Sequence, residues 1–283
     1  MSGKQIDVAS VTLTREFEER GFLVLPDALS PSQVGDLNRA VEQSFEAHRG
    51  EWVIFDESLM QTPNVLPGTS AFDLAIENPV TLDILRALIG EDIALEEFGL
   101  MIRNPTQKPR DIKGWHRDMT RDYGRRREIN YHSLIYYLTD VSESDHCFSI
   151  VPESHNRLID LRPEEIGPAD GFDVVGTAGT AVIFHGRCIH SGKLKPGSRQ
   201  RRTIHVYFGR AGHPRATEWT EIPPRLYEKR DPALPPRLYS KWNVTDVLEG
   251  VSKKPKDLDP GMSTAEMIKE VQRRANKARL DPD

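Results

Sequence analysis

His116 and Asp118 stand two residues apart in Gly114-Trp115-His116-Arg117-Asp118, just after a loop containing Pro and Lys. In an extended segment, residues i and i+2 point to the same side, so an imidazole and a carboxylate there can reach one ion. A second stretch runs from Ala181-Val182-Ile183-Phe184 through His185-Gly186-Arg187-Cys188-Ile189 to His190. If His190 joins the same ion, two imidazoles and one carboxylate occupy one face and leave three positions open. That is the ligand set of non-haem Fe(II) oxygenases. His-x-Asp alone is a weak signal, but the context adds to it. His190 follows an apolar strand, and Arg201 comes eleven positions later in another strand. A 2-oxoacid that chelates iron through its keto and C1 carboxylate oxygens needs a fixed cation for its far carboxylate. The planar fork of arginine holds a carboxylate bidentately.

These residues need a scaffold. A first helix is expected over Leu13 to Arg20, with Phe17 inward and Gly21 as its stop. Phe22-Leu23-Val24-Leu25 reads as a short buried strand closed by Pro26. Ser30-Pro31-Ser32-Gln33 opens a second helix with a capping box, and Val34, Leu37, Val41 and Phe45 follow at helical spacing. The polar stretch around Pro63-Asn64 and Pro67-Gly68 reads as loop, and Pro79 to Ile89 as a third amphipathic helix ended by Gly90. After residue 90, short β-rich runs take over at Ala94 to Ile102, His132 to Leu138, Cys147 to Val151, Ala181 to Phe184 and Thr203 to Phe208. Helices first and short strands later suggest a mainly β, α+β chain: a sandwich or jelly roll with helices on one sheet face.

Composition bounds the rest. The 283 residues carry a net charge of -5, which argues against a nucleic-acid partner. No apolar run approaches the length of a membrane span. Met1 to Ser10 lacks the apolar stretch of a secretory signal, so the expectation is a cytoplasmic protein. Two cysteines, Cys147 and Cys188, exclude a disulfide framework and a cysteine-based zinc site. The expected organisation is one domain over residues 1–283, with a core at 13–210 and a Pro-rich remainder at 211–283. In that remainder Pro223-Pro224-Arg225-Leu226-Tyr227 is echoed at Pro235-Pro236-Arg237-Leu238-Tyr239. The segment is either a loop wrapped over the domain or a lid over an active site. Ser263 to Leu280 reads as a charged surface helix.

In order and spacing these blocks resemble the phytanoyl-CoA dioxygenase family of Fe(II)/2-oxoglutarate oxygenases. The resemblance runs through Phe17-Glu18-Glu19-Arg20-Gly21-Phe22-Leu23-Val24-Leu25 and Leu29-Ser30-Pro31-Ser32-Gln33-Val34. It continues with Trp115-His116-Arg117-Asp118, with Ile150-Val151-Pro152-Glu153-Ser154-His155, and with Gly179 to His190 followed by Arg201. It implies a double-stranded β-helix (jelly-roll, cupin-like) core, His116, Asp118 and His190 as Fe(II) ligands, and Arg201 as the anchor of 2-oxoglutarate. It also implies dioxygen as oxidant and a C–H bond of a small molecule as target, hydroxylated or closed into a ring. Two departures are visible. The family has Gly where Glu153 stands, and it has Ser two residues after the distal histidine, where this chain has Gly192 and carries Ser191 one residue earlier. Arg202 beside Arg201 is the second choice for the anchor, since adjacent strand residues face opposite sides.

Related halogenases have a small residue where Asp118 stands, so its presence favours hydroxylation or ring formation. Trp115 is a candidate substrate contact beside the metal, and equally a packing residue. His185 is expected at a strand end near the site, His155 in a turn, and His132, His146 and His205 as hydrogen-bonded barrel residues. Arg125-Arg126-Arg127 reads as a solvated loop or a clamp for an acidic substrate. Tailoring of a small natural product by a monomer or homodimer fits these features. Two other readings stay open: a zinc hydrolase on the same three ligands, and a non-catalytic jelly-roll ligand-binding module.

Overall fold

The computed structural model describes residues 8–56, 58–106, 113–118, 131–157, 161–167, 169–195, 199–211, 220–229 and 231–240. Helix α1 (Val8–Arg20) begins five residues before its expected start and stops where expected. Gly21 ends it with φ +83°, and its N–H bonds to the Phe17 carbonyl at 2.7 Å. A Cβ there would stand 2.5 Å from both Cys188 Sγ and His155 Nδ1, so the turn needs glycine for its φ and for space. Strand β1 (Phe22–Leu25) follows, then α2 (Pro31–Ala47), whose Ser30–Gln33 capping box is complete. The stretch read as loop also holds a hairpin, β2 (Val53–Asp56) and β3 (Leu59–Thr62). Short α3 (Asp73–Ile76) leads into α4 (Pro79–Ile89), capped by Asn78.

The remaining strands are β4 (Ile93–Arg103), β5 (Lys113–His116), β6 (His132–Tyr137), β7 (Cys147–Ile150), β8 (Phe172–Val174), β9 (Ala181–His185), β10 (His190–Lys193) and β11 (Arg201–Arg210). They form a seven-stranded sheet in the order β1-β9-β6-β11-β4-β3-β2 and a four-stranded sheet in the order β5-β10-β7-β8. Every strand pair is antiparallel. Two facing antiparallel sheets with helices against the larger one make the double-stranded β-helix.

Strand alternation divides the large sheet into two chemically different faces. Ile204, Val206 and Phe208 of β11 join Leu37, Val41, Leu82 and Leu85 in the core beneath the helices. Arg201, Thr203, His205 and Tyr207 take the other face, in register with Tyr137, Ile135 and Ser133 of β6 for the last three. Ile135, Tyr137, Val182 and Phe184 pack there against Phe148, Ile150 and Val174 of the small sheet. The polar site therefore lies between the sheets, while the bulk of the hydrophobic core lies outside the large one.

The described part of the Pro-rich segment belongs to the helix-side core. Helix α5 (Pro224–Tyr227) buries Leu226, and Leu238 is equally buried in the same cluster. The Leu95 N–H bonds to the Leu238 carbonyl at 2.8 Å. Both echoed arginines are paired, Arg225 with Asp73 at 2.8 Å and Arg237 with Asp92 at 3.0 Å. Each copy thus inserts a leucine and clamps an aspartate, Asp73 of α3 or Asp92 of the turn between α4 and β4. This makes residues 220–229 and 231–240 a strap on the face opposite the site; residues 212–219 and 241–283 lie outside the described residues. Arg125 to Arg127 and Ser263 to Leu280 lie outside the described residues. Among the described residues no helix is long and apolar enough to cross a membrane.

Candidate metal and cosubstrate site

β5 and β10 are neighbours in the small sheet, and His116 is the cross-strand partner of His190. Asp118 lies two residues past the end of β5. One ligand-type atom from each of His116, Asp118 and His190 lies within 4.8 Å of the others. Asp118 Oδ1 is 3.3 Å from His190 Nε2 and 3.8 Å from His116 Nε2. Both imidazoles are oriented alike. His116 Nδ1 donates to the Gly114 carbonyl and His190 Nδ1 to the Cys188 carbonyl, each at 3.0 Å. A carbonyl only accepts, so Nδ1 carries a proton in both rings and Nε2 is the nitrogen turned to Asp118, where it can donate to the carboxylate or give up its proton to bind a metal. Outer hydrogen bonds of this kind hold metal-ligating histidines.

Ser133 of β6 donates to Asp118 Oδ2 at 2.9 Å, which reserves Oδ1 for the histidine side. Burial alone would push the Asp118 carboxyl up. The charge and hydrogen bond of His190, then His116 and Ser133, outweigh it and bring the carboxyl down to about 2. His190 is also buried, which disfavours its charge, yet Asp118 raises it. Phe184 and Phe148 flank the His190 ring at 4.7 and 5.4 Å. His190 has 8 % of its side chain exposed against 46 % for His116, so the cluster opens on the His116 side.

Arg201 begins β11 on the inner face, beside Tyr137, Cys147 and His205. Its side chain is buried, and Nε and Nη1 have no hydrogen-bond partner; Nη2 lies 4.0 Å from Met101 Sδ. Burial is the main influence on this guanidinium and lowers its pKa. His205, pushed down to about 3 by burial and then by the Arg201 charge, is a neutral neighbour. Arg202 points to the other face and is engaged there with Gln200, Asn38 and Glu42. A buried arginine with two unmatched donors fits an anionic ligand. The His/Asp/His set fits a divalent first-row metal.

The other singled-out residues occupy varied places. Trp115 faces away from His116, its ring so close to Gly171 that a Cβ there would meet it at 2.3 Å. Gly192 shares the His190 face, and among the described residues nothing lies within 4 Å of the position a Cβ would take. Ser191 turns to the opposite face beside Ser149. His155 binds the Glu18 carbonyl at 3.1 Å, tying its turn to α1. Glu153 in that turn has φ +63°, the left-handed conformation that suits glycine. His146 bridges the Asn104 carbonyl and the Lys195 N–H, and His205 contacts Thr203 Oγ1 at 3.0 Å. His132 keeps a hydrogen bond with the Tyr131 backbone, while its Nδ1 has no partner and the ring packs on Phe17 and His185 at 4.9 and 5.0 Å. Sequence reasoning missed Ser133 and gave Arg117 no role of its own. β6 is buried on both faces, so no alternation marks Ser133 as inward.

Residues 17–203 match the phytanoyl-CoA dioxygenase (PhyH) family. A probable alpha-ketoglutarate-dependent hypophosphite dioxygenase of Stutzerimonas stutzeri is 21% identical over 229 residues, covering 70% of this chain and 77% of that protein. The fold is shared with the alpha-ketoglutarate-dependent carbocyclase SnoK of nogalamycin biosynthesis (TM-score 0.59, 19% identity, 83% of this chain and 95% of that one). It is shared too with HygX of Streptomyces hygroscopicus, solved with nickel, 2-oxoglutarate and hygromycin B (TM-score 0.57, 18% identity, 72% and 88%). The chain belongs to the phytanoyl-CoA dioxygenase family of non-haem iron, 2-oxoglutarate-dependent oxygenases.

Proposed function

We propose that this chain oxidises a C–H bond of a small organic molecule at an iron held by His116, Asp118 and His190, with Arg201 anchoring the distal carboxylate of 2-oxoglutarate. The observation that carries this reading is the pairing of two features between the sheets. One is a His/Asp/His cluster with both Nε2 atoms turned to one carboxylate oxygen. The other is a buried arginine with two unmatched donors on the inner face of the large sheet. A zinc hydrolase would need the first and leave the second without purpose; a non-catalytic module would need neither.

Iron, 2-oxoglutarate and dioxygen together supply a two-electron oxidation of the substrate coupled to breakdown of the cosubstrate to succinate and carbon dioxide. The protein's residues position and enclose. Ser133 fixes which Asp118 oxygen faces the metal, and the Gly114 and Cys188 carbonyls fix the imidazole tautomers. Phe148 and Phe184 keep water from the His190 side. Arg201 supplies the fixed cation, and Arg202 is committed to the α2 layer instead.

Tailoring of a natural product is the substrate class this reading favours, supported by structural neighbours that act in such pathways. Trp115, set against Gly171 on the face away from His116, serves this reading as packing and not as a substrate contact. The experiment is anaerobic addition of Fe(II) and then 2-oxoglutarate to metal-free protein. A visible metal-to-ligand charge-transfer band that needs both additions supports the site. Its absence, with zinc bound in place of iron, would turn the reading to a hydrolase. Succinate release with candidate substrates, hypophosphite among them, then separates C–H from P–H oxidation.

A further inference from the structure

The metal ligands come from two segments with a thin direct connection. β5 meets β10 only at His190↔His116 and Gly192↔Lys113, with the register broken between them. Asp118 lies beyond the last paired residue. A cluster in which three donor atoms must stay within ångströms of one another needs a further brace, because supporting groups set how well such a site is preorganised.

Arg117, between the two ligands, supplies one. Its side chain turns away from the metal cluster into the protein and is almost wholly buried. Nη1 donates to the carbonyls of Ser154 at 3.2 Å and Arg187 at 2.9 Å; Nη2 donates to those of Arg157 at 3.1 Å and Leu161 at 3.0 Å. Ser154, itself fully buried, is the second half of the brace. Its hydroxyl donates to the Val151 carbonyl at 2.7 Å and accepts the N–H of Ile189, the residue before His190, at 2.8 Å. Val151 N–H returns a bond to the Ile189 carbonyl at 2.8 Å. Arg117 thus grips the turn that leads into His190 twice, directly at Arg187 and through Ser154 at Ile189.

We propose that Arg117 and Ser154 are positioning residues for the metal site, locking the His116–Asp118 pair to the His190 segment so that the three donors converge before metal arrives. This rests on the metal-site reading above. Only a planar, multi-donor cation spans four carbonyls from one stem, and a lysine ammonium, a single point, does not. Neither residue touches the metal or a substrate.

The test is Co(II) titration of metal-free wild-type, Arg117→Lys, Ser154→Ala and double-variant protein, followed by d–d absorption, with circular dichroism and melting on the same samples. Co(II) affinity is expected to fall 10- to 100-fold in each single variant that keeps the wild-type circular dichroism. The d–d band should change shape, and the double variant should lose less than the product of the two. A purely structural role would lower the melting temperature yet leave the affinity and band of the folded protein at wild-type values, and that result overturns the proposal. Independent, multiplicative losses overturn the shared brace. If Arg117→Lys does not fold, Ser154→Ala alone decides by the same affinity and band criteria. Failure of the wild type to bind Co(II) would instead defeat the metal site.

Discussion

The Ser133 hydroxyl donates to Asp118 Oδ2 at 2.9 Å, while Oδ1 of the same carboxylate faces His190 Nε2 at 3.3 Å. One residue of the large sheet thereby sets the rotamer of a ligand-type residue attached to the small one. Ser133→Ala should leave the fold intact, since it removes one hydroxyl from a well-packed strand, but it frees Asp118 to rotate. Fe(II) affinity should fall by about 10-fold, the lower end of what such supporting contacts contribute. Anaerobic Fe(II) titration measures it, and unchanged affinity would show that Asp118 is held without Ser133.

Arg201 and Arg202 are adjacent and chemically identical, so paired substitutions isolate the effect of facing. Arg201→Ala removes the buried guanidinium with unmatched donors. Losing one partner of a desolvated charge pair costs about 2–4 kcal/mol, so 2-oxoglutarate affinity should fall by about 30- to 1000-fold. Iron affinity should hardly change. Arg202→Ala breaks the half-exposed pair with Glu42 and contacts to Asn38 and Gln200, worth at most about 1 kcal/mol of stability. Cosubstrate affinity should survive it. The reverse pattern would move the anchor to Arg202.

Much of this was legible because the chemistry-bearing residues are rare types at telling intervals, and because apolar alternation locates buried strands. The capping box at Ser30, the stop at Gly21 and the long strands around Leu100 and Val206 follow local rules. Other features depend on contacts without a local signature. Arg117 acts on four backbone carbonyls from distant segments, and any sequence supplies carbonyls. Phe172-Asp173-Val174 is too short, and its Phe172 too exposed, to announce β8. The Pro-Pro-Arg-Leu-Tyr echo was visible, but which face its leucines would enter depends on aspartates distant in the sequence.

The strap permits a clean separation of stability from function. Leu238 is almost wholly buried against the helix-side core and far in the fold from Arg201 and His190. Leu238→Ala should destabilise the protein by about 2–4 kcal/mol through lost burial and a cavity. A urea melt reads this directly. At a temperature where the variant stays folded, its 2-oxoglutarate affinity should match the wild type. A lid over the site would instead show weakened cosubstrate or substrate binding with little change in stability.

Under α1 lies a group of histidines that must stay neutral. Burial lowers His132 to about 4, with a smaller contribution from His155 and an opposing one from the Tyr131 backbone. Burial also lowers His185, to about 2, assisted by the charges of His132, His155 and Arg187. His155 shifts the same way, chiefly by burial. In the unfolded chain these imidazoles take up protons near pH 6.5, whereas in the folded chain they do so at lower pH, far lower for His132 and His185. The unfolded state therefore binds more protons as pH falls through 6.5, and stability drops with it. At pH 5, His132 and His185 each cost at most about 2 kcal/mol. Carboxylates held low, such as Asp118 and Asp145, add their losses only below the ordinary carboxylate range, so the interval from 6.5 to 5 belongs to histidines: His205 and His146, also held low, add to the decline, and His190, raised by Asp118, opposes it. Urea midpoints of the metal-free protein should decline steadily across that interval. His132→Asn or His185→Asn, compared with its own value at pH 7.5, should flatten the decline. A midpoint that stays level from pH 7.5 to 5 in the wild type would mean that the cluster opens to water before it titrates.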